Sequence, residues 1–110
     1  MKLKPLLLLP VLIAFLTAAS LVSAAETTRP LVVGMELAYP PFEMTDQNGK
    51  PSGVSVDLAT DLAKSLGRPV IIQNTAFDGL IPALKTGKVD LVISSMTATA
   101  EREKSIDFSD

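Results

Sequence analysis

Short apolar segments alternate with helical ones along this chain, and this order constrains the fold more than any other feature. Apolar runs at residues 31–33, 69–73 and 89–94 predict three strands. Between them, residues 56–66 and 77–85 have the three- and four-residue apolar spacing of amphipathic helices. The order strand, helix, strand, helix, strand implies right-handed crossovers and therefore a parallel βαβαβ sheet of the α/β class.

Local signals give the expected limits of the first helix. Ser55 is the predicted N-cap, and Gly67 is expected to close the helix in the left-handed conformation. Before the helix, Asn48-Gly49 predicts the tight turn of a hairpin. The strand at residues 69–73 lacks strict alternation, so we expect it to be covered on both faces. The helix stripe predicted to face the core is Val56, Ala59, Ala63 and Leu66, with Leu58 and Leu62 beside it.

The N-terminal segment predicts an export signal, residues 1–24. Lys2 and Lys4 precede a long uncharged run, and the run ends in the small residues that a signal peptidase recognises, so cleavage is expected after Ala24. A transmembrane anchor is the alternative, but prolines and hydroxyl side chains interrupt the run and no basic stop-transfer cluster follows it. We therefore expect an exported chain with a short tail at residues 25–30 and a domain over 31–110.

Charge and composition argue against several functions for this chain. Without Lys2 and Lys4, 8 of the 10 basic residues remain against all 12 acidic ones, a net charge of −4. There is no basic patch of the kind that holds nucleic acid. Cysteine and histidine are both absent, which excludes disulfides, His-based triads and the usual zinc sites from this segment. We expect no nucleic-acid partner, no metal and no cofactor.

The segment after the third predicted strand carries groups suited to binding an anion. Thr97, Thr99 and Arg102 follow that strand, where an open α/β sheet presents ligand contacts. A guanidinium matches a carboxylate through two parallel hydrogen bonds, and nearby hydroxyls complete the cradle. The pattern indicates capture of a small carboxylate. The alternative is a Thr-capped helical turn whose Arg102 is a solvated surface charge.

Four motifs, at residues 34–42, 53–58, 77–84 and 97–110, follow one another in one order along the predicted domain. Together they resemble the periplasmic amino-acid-binding proteins of ABC importers, the extracellular solute-binding proteins of family 3. The resemblance implies a monomeric periplasmic protein of two α/β lobes that closes on an amino acid and delivers it to an inner-membrane permease. Ser55 departs from the acidic residue usual at its place in the family.

The resemblance also implies which residues bind the ligand. Arg102 is similar to the arginine that holds the α-carboxylate of the ligand. Ser95 and Thr97 match backbone and hydroxyl contacts around the same carboxylate and the ammonium. This set supplies one fixed cation with several neutral partners, as a small-molecule site requires.

Four further residues complete the implied site. Tyr39 and Phe77 look like the two apolar walls between which the ligand lies. Glu36 corresponds to an acidic position that favours a polar or basic side chain, and Ser94 adds a polar contact. Taken alone, the aromatics would be expected in the core, Glu36 in solvent and Ser94 in a strand-end turn.

The resemblance leaves two rival functions and one expectation about completeness. An enzyme of the same fold, similar to cyclohexadienyl dehydratases, would use Glu36 as its general acid. A ligand-sensing lobe of a receptor would be followed by a transmembrane helix. Family members continue beyond Asp110 into a second lobe that supplies an acidic residue for the ammonium and the hinge. We therefore expect an incomplete first lobe, with no catalytic residue and with weakened binding.

Overall fold

The structure, a computed structural model, describes residues 29–110, which contain five strands and three helices. The predicted signal peptide and its cleavage site after Ala24 lie outside the described residues. The strands are β1 (Leu31–Met35), β2 (Met44–Thr45), β3 (Pro51–Ser52), β4 (Val70–Asn74) and β5 (Leu91–Val92). The helices are α1 (Val54–Ser65), α2 (Phe77–Lys85) and α3 (Ala100–Glu103). Within this described part, no helix combines the length and apolar character that crossing a membrane requires.

The main sheet has the strand order β4-β1-β5, and both pairings are parallel. β1 pairs with β4 along its whole length and with β5 only at Val33 and Gly34. β2 and β3 form a separate antiparallel hairpin around the predicted Asn48-Gly49 turn. The predicted parallel sheet of the α/β class is therefore confirmed.

The core lies on both faces of β1. Leu31, Val33 and Met35 point to one face and form a buried cluster with Val56, Ala59 and Ala63 of α1. On the other face, a Cβ placed on Gly34 would lie only 3.2–3.3 Å from side-chain atoms of Val89 and Leu80. Gly34 therefore lets α2 approach the sheet closely, and β1 becomes the middle layer between two helices.

Two strand predictions are corrected. β4 is not covered on both faces, because none of its residues is fully buried and Ile71 keeps 45% of its surface exposed. The predicted strand at residues 89–94 is reduced to Leu91–Val92. Side chains flanking β5 bond to amides in and just after β1: the Asp90 carboxylate accepts from the Val32 N–H at 2.9 Å, and the Ser94 hydroxyl accepts from the Glu36 N–H at 2.9 Å.

The start of α1 also differs from the prediction. Gly53, not Ser55, is the N-cap, and no side chain caps the helix there. Instead, backbone carbonyls of the preceding loop accept from the first helical amides, Pro41 from Val54 at 3.4 Å and Phe42 from Ser55 at 2.8 Å. These contacts satisfy donors that have no partner inside a helix. Gly67 has a φ of 64°, which confirms the predicted left-handed end.

The predicted core stripe of α1 is only partly correct. Val56, Ala59 and Ala63 are buried, but Leu66 and Leu58 keep 53% and 57% of their surfaces exposed. Leu62 is also exposed. Since the helix packs on the sheet through its small residues, the larger leucines beside that row remain in solvent.

Gly53 offers a test of how the loop meets α1. A Cβ on Gly53 would lie 2.5 Å from the Phe42 carbonyl oxygen, and its φ of 115° already disfavours any other residue. We expect Gly53→Ala to lower the free energy of unfolding by about 3 kcal/mol, the upper end of the range for backbone strain. Chemical denaturation followed by circular dichroism measures this loss.

Gly67→Ala is the matched control, because Gly67 also has a positive φ but has no atom within 4 Å of an added Cβ. It should lose only about 1 kcal/mol, the conformational contribution alone. Equal losses in the two variants would show that the contact with the Phe42 carbonyl does not constrain the protein in solution.

Candidate functional site

A cavity of about 260 Å³ lies at the carboxyl ends of the three parallel strands. Its volume is near the lower end of roughly 300–1,000 Å³ for small-molecule sites. Five of the seven predicted ligand residues line it together with Ala38 and Glu43: Glu36, Tyr39, Phe77, Ser94 and Ser95. Because parallel strands all end at the same edge, residues that are far apart in sequence meet there.

Glu36 is fixed within this cavity through both its backbone and its side chain. Its N–H donates to the Ser94 hydroxyl at 2.9 Å, which holds the end of β1 against the segment after β5. Its Oε2 accepts from the Phe77 N–H at 2.9 Å. Phe77 begins α2, and Ala76 offers no side-chain cap, so Glu36 supplies the acceptor and the negative charge that a helix N-terminus favours.

A second carboxylate, Glu43, belongs to the cavity and was missed from the sequence. Glu43 is only 1% exposed, and its Oε2 accepts from two hydroxyls, Ser55 at 2.6 Å and Ser95 at 3.1 Å. Nothing near Glu43 in the sequence distinguishes it from a surface glutamate. The available signal was Ser55, a hydroxyl at a position where the resembled family has an acid.

The aromatic walls are placed differently from ordinary core aromatics. Tyr39 lines the cavity with 57% of its surface exposed, and its ring stacks on Phe42 with centroids 5.6 Å apart. The loop that carries both rings is closed by paired backbone hydrogen bonds between Tyr39 and Glu43, at 2.8 and 3.0 Å. Phe77 lines the cavity from the start of α2. The exposed Tyr39 ring therefore offers a flat surface to a ligand, and stacking on Phe42 holds that ring in place.

Arg102 and Thr97 lie beside this cavity and do not line it. The Arg102 Nη1 donates to the Thr97 carbonyl at 2.7 Å, and its Cζ lies 5.3 Å from the centroid of the Phe77 ring. Thr99 caps α3 by accepting from the Arg102 N–H at 3.2 Å, so the alternative of a Thr-capped turn is correct for the backbone. Arg102 is half-buried as a residue and its guanidinium lies over an aromatic ring, so it is not a freely solvated charge.

Thr97 lines a larger adjoining cavity of about 850 Å³, which shares Ser94 and Ser95 with the first. The described residues thus bring Thr97 and Arg102 together at one margin of the site and Glu36 and Glu43 inside it. The smaller cavity has two carboxylates and no basic residue in its lining. It suits a cationic group, with the guanidinium of Arg102 available to an anion at its margin. Residues 29–110 contain no cluster of side chains able to hold a metal ion.

Comparison with known proteins identifies the family. The model of the bacterial extracellular solute-binding proteins, family 3, matches residues 31–110, and the chain belongs to this family. A probable histidine-binding protein of Campylobacter jejuni is 46% identical over 84 residues, which are 76% of this chain and 32% of that protein. The chain spans about a third of the length of curated relatives such as this one.

Solved structures agree with this assignment. The arginine-bound form of domain 1 of TmArgBP, from T. maritima, is 49% identical with a TM-score of 0.72, over 74% of this chain and 64% of that one. An ancestral amino-acid-binding protein, described as a precursor of cyclohexadienyl dehydratase, is 52% identical with the same TM-score, over 74% and 36% of the two chains. The predicted family and fold are therefore confirmed.

The hydrogen bond from Glu36 to Ser94 generates a stability prediction. Ser94 is buried, and Ser94→Ala leaves the Glu36 N–H without its acceptor, so we expect a loss of about 1–3 kcal/mol in the free energy of unfolding. Ser105→Ala, at an exposed serine, is the control and should change this free energy by less than about 0.5 kcal/mol. If urea denaturation gives the same midpoint for both variants, the Ser94 hydroxyl does not hold Glu36 in solution.

Proposed function

We propose that this chain forms the ligand-binding part of the first lobe of a periplasmic amino-acid-binding protein, and that its ligand is a cationic amino acid, arginine foremost. The observation that carries the proposal is the Glu36 carboxylate, which is held at the N-terminus of α2 inside a cavity that Tyr39 and Phe77 line. A fixed anion between aromatic groups is suited to a planar cation.

The charges favour one orientation of the ligand. The guanidinium side chain of the ligand lies in the cavity beside the Glu36 carboxylate, and the α-carboxylate lies toward Arg102. Glu36 uses its Oε2 for the Phe77 amide, so its other oxygen is the one that meets the ligand. Tyr39 and Phe77 stack on the ligand, and Ser94, Ser95 and Thr97 contribute polar contacts at the margin that the two cavities share.

The relatives support the choice of a cationic or nitrogen-rich side chain. One is named as a probable histidine-binding protein, and the domain 1 structure contains arginine. The domain 1 structure also argues that binding by a single lobe is not abolished, because that domain alone holds arginine. We infer that this lobe retains measurable arginine binding.

The same proposal includes location and partner. The protein acts in the periplasm as a monomer and delivers its ligand to the permease of an ABC importer, without catalysing a reaction on it. The rival dehydratase function has one favourable observation, the similarity to an ancestral protein described as a precursor of that enzyme. Release of an aromatic product from prephenate or arogenate would favour the enzyme, and binding of arginine without turnover of either compound would favour transport.

Arg102 provides the direct test of carboxylate capture. In thermal unfolding scans, arginine at about 10 mM should raise the midpoint of the wild-type chain because ligand binds only the folded state. Agmatine, which is arginine without its carboxylate, should give a much smaller shift. Arg102→Ala should abolish the arginine shift, whereas Lys104→Ala, at an exposed neighbouring cation, should retain it. An arginine shift that survives in Arg102→Ala would remove Arg102 from the site.

Glu36 provides the test of side-chain recognition. Glu36→Gln keeps an oxygen that can accept from the Phe77 amide but loses the charge. We expect its Kd for arginine to rise about tenfold, as loss of one charge-assisted hydrogen bond predicts. Its Kd for citrulline, whose side chain is uncharged, should stay within about threefold of the wild-type value. Isothermal titration calorimetry with both ligands measures the difference, and an equal change for both would show that Glu36 does not select charge.

A further inference from the structure

One oxygen atom of Glu43 connects three segments of the chain. Its Oε2 accepts from Ser55 in the first turn of α1 and from Ser95 after β5, while Glu43 itself closes the Tyr39 loop. Two of these segments carry residues that line the smaller cavity, Tyr39 and Ser95, whereas Ser55 does not line it. Glu43 also lines the cavity, but it is only 1% exposed and its Oε2 already accepts from two hydroxyls, so it is placed to affect a ligand through Ser95.

Ser95 has an unusual backbone that needs such support. Its φ of 51° makes it the one residue other than glycine with a positive φ among those described. Such a conformation is unfavourable for a side chain with a Cβ and persists where the surroundings enforce it. The hydrogen bond from the Ser95 hydroxyl to Glu43 is the side-chain contact that holds this turn.

That hydrogen bond also decides whether the Ser95 hydroxyl can donate or accept a hydrogen bond toward the cavity. Because its hydroxyl proton is donated to Glu43, the Ser95 oxygen presents lone pairs to the cavity, where it can accept a hydrogen bond but not donate one. Ser94 has the opposite arrangement, since its oxygen accepts from the Glu36 N–H and its proton remains available. Two adjacent serines therefore offer a ligand one acceptor and one donor.

We propose that Glu43 is a positioning residue of the binding site, which holds Ser95 in its left-handed turn and orients the Ser95 oxygen as an acceptor for the ammonium of an amino acid. Glu43 acts through Ser95 and does not itself contact the ligand. The inference rests on the proposed function for its binding test, and on the backbone of Ser95 for a test that needs no ligand.

The binding test is a double-mutant cycle on the full chain with arginine as the probe. Glu43→Gln should raise the Kd for arginine about tenfold, the effect of one misplaced hydrogen bond to a charged group. In a Ser95→Ala background, adding Glu43→Gln should change the Kd little, because the group that Glu43 positions is already gone. Ser55→Ala is the control: it removes the other hydrogen bond to the same oxygen and should lower the unfolding midpoint with a Kd near the wild-type value.

The ligand-free test uses the three-bond coupling between the amide and α protons of Ser95, which reports φ in the labelled chain. In Glu43→Gln this coupling should move away from its wild-type value, whereas Ser55→Ala should leave it unchanged.

Each outcome decides one of the two proposals. If the wild-type chain binds no arginine, the proposed function fails, and the Ser95 coupling still decides the role of Glu43. If Glu43→Gln leaves both the Kd and the coupling unchanged, or raises the Kd equally with and without the Ser95 hydroxyl, Glu43 is only a structural residue and the inference is overturned. Should Glu43→Gln fail to fold, the coupling and Kd measured in Glu43→Asp replace it under the same criteria.

Discussion

β1 pairs in parallel with β4 on one side and with β5 on the other, and the site depends on this pairing. Parallel strands end at a common edge, so the loop after β1, the start of α2 after β4 and the turn after β5 converge there. Hydrogen bonds from side chains then hold that edge together: Ser94 holds the Glu36 backbone, and the Glu36 carboxylate holds the first amide of α2. The hydrogen bonds that hold this edge of the sheet together therefore also position the residues of the site.

The site also depends on the junction between the Tyr39 loop and α1. The helix has no side-chain cap, and the loop carbonyls of Pro41 and Phe42 accept from its first amides. This arrangement requires Gly53, since its backbone passes too close to those carbonyls for a Cβ. The loop that places Tyr39 over the cavity is therefore anchored on a helix that itself packs on β1.

Much of this was predictable from the sequence, because the signals were local. The apolar runs predicted the parallel sheet, Asn48-Gly49 predicted the hairpin, and residues 77–85 predicted the limits of α2. Five of the seven ligand residues that the family resemblance implies line one cavity. The errors arose where a distant partner replaced a local one. Ser55 has the character of a helix cap, but its hydroxyl bonds to Glu43, 12 positions earlier, and Glu43 also binds Ser95, 52 positions later. The spacing of apolar residues along a sequence gives no information about such long-range hydrogen bonds.

The contacts of Arg102 also affect the entropy of any association at this site. An arginine side chain free in solution has roughly 2 kcal/mol of rotamer entropy to lose when it is immobilised. Here the Thr97 carbonyl and the Phe77 ring already restrict it, and only one of its five N–H donors is used in a side-chain hydrogen bond within the described residues. The guanidinium of Arg102 is therefore already restricted before a carboxylate binds. Little further side-chain entropy is lost when the carboxylate binds.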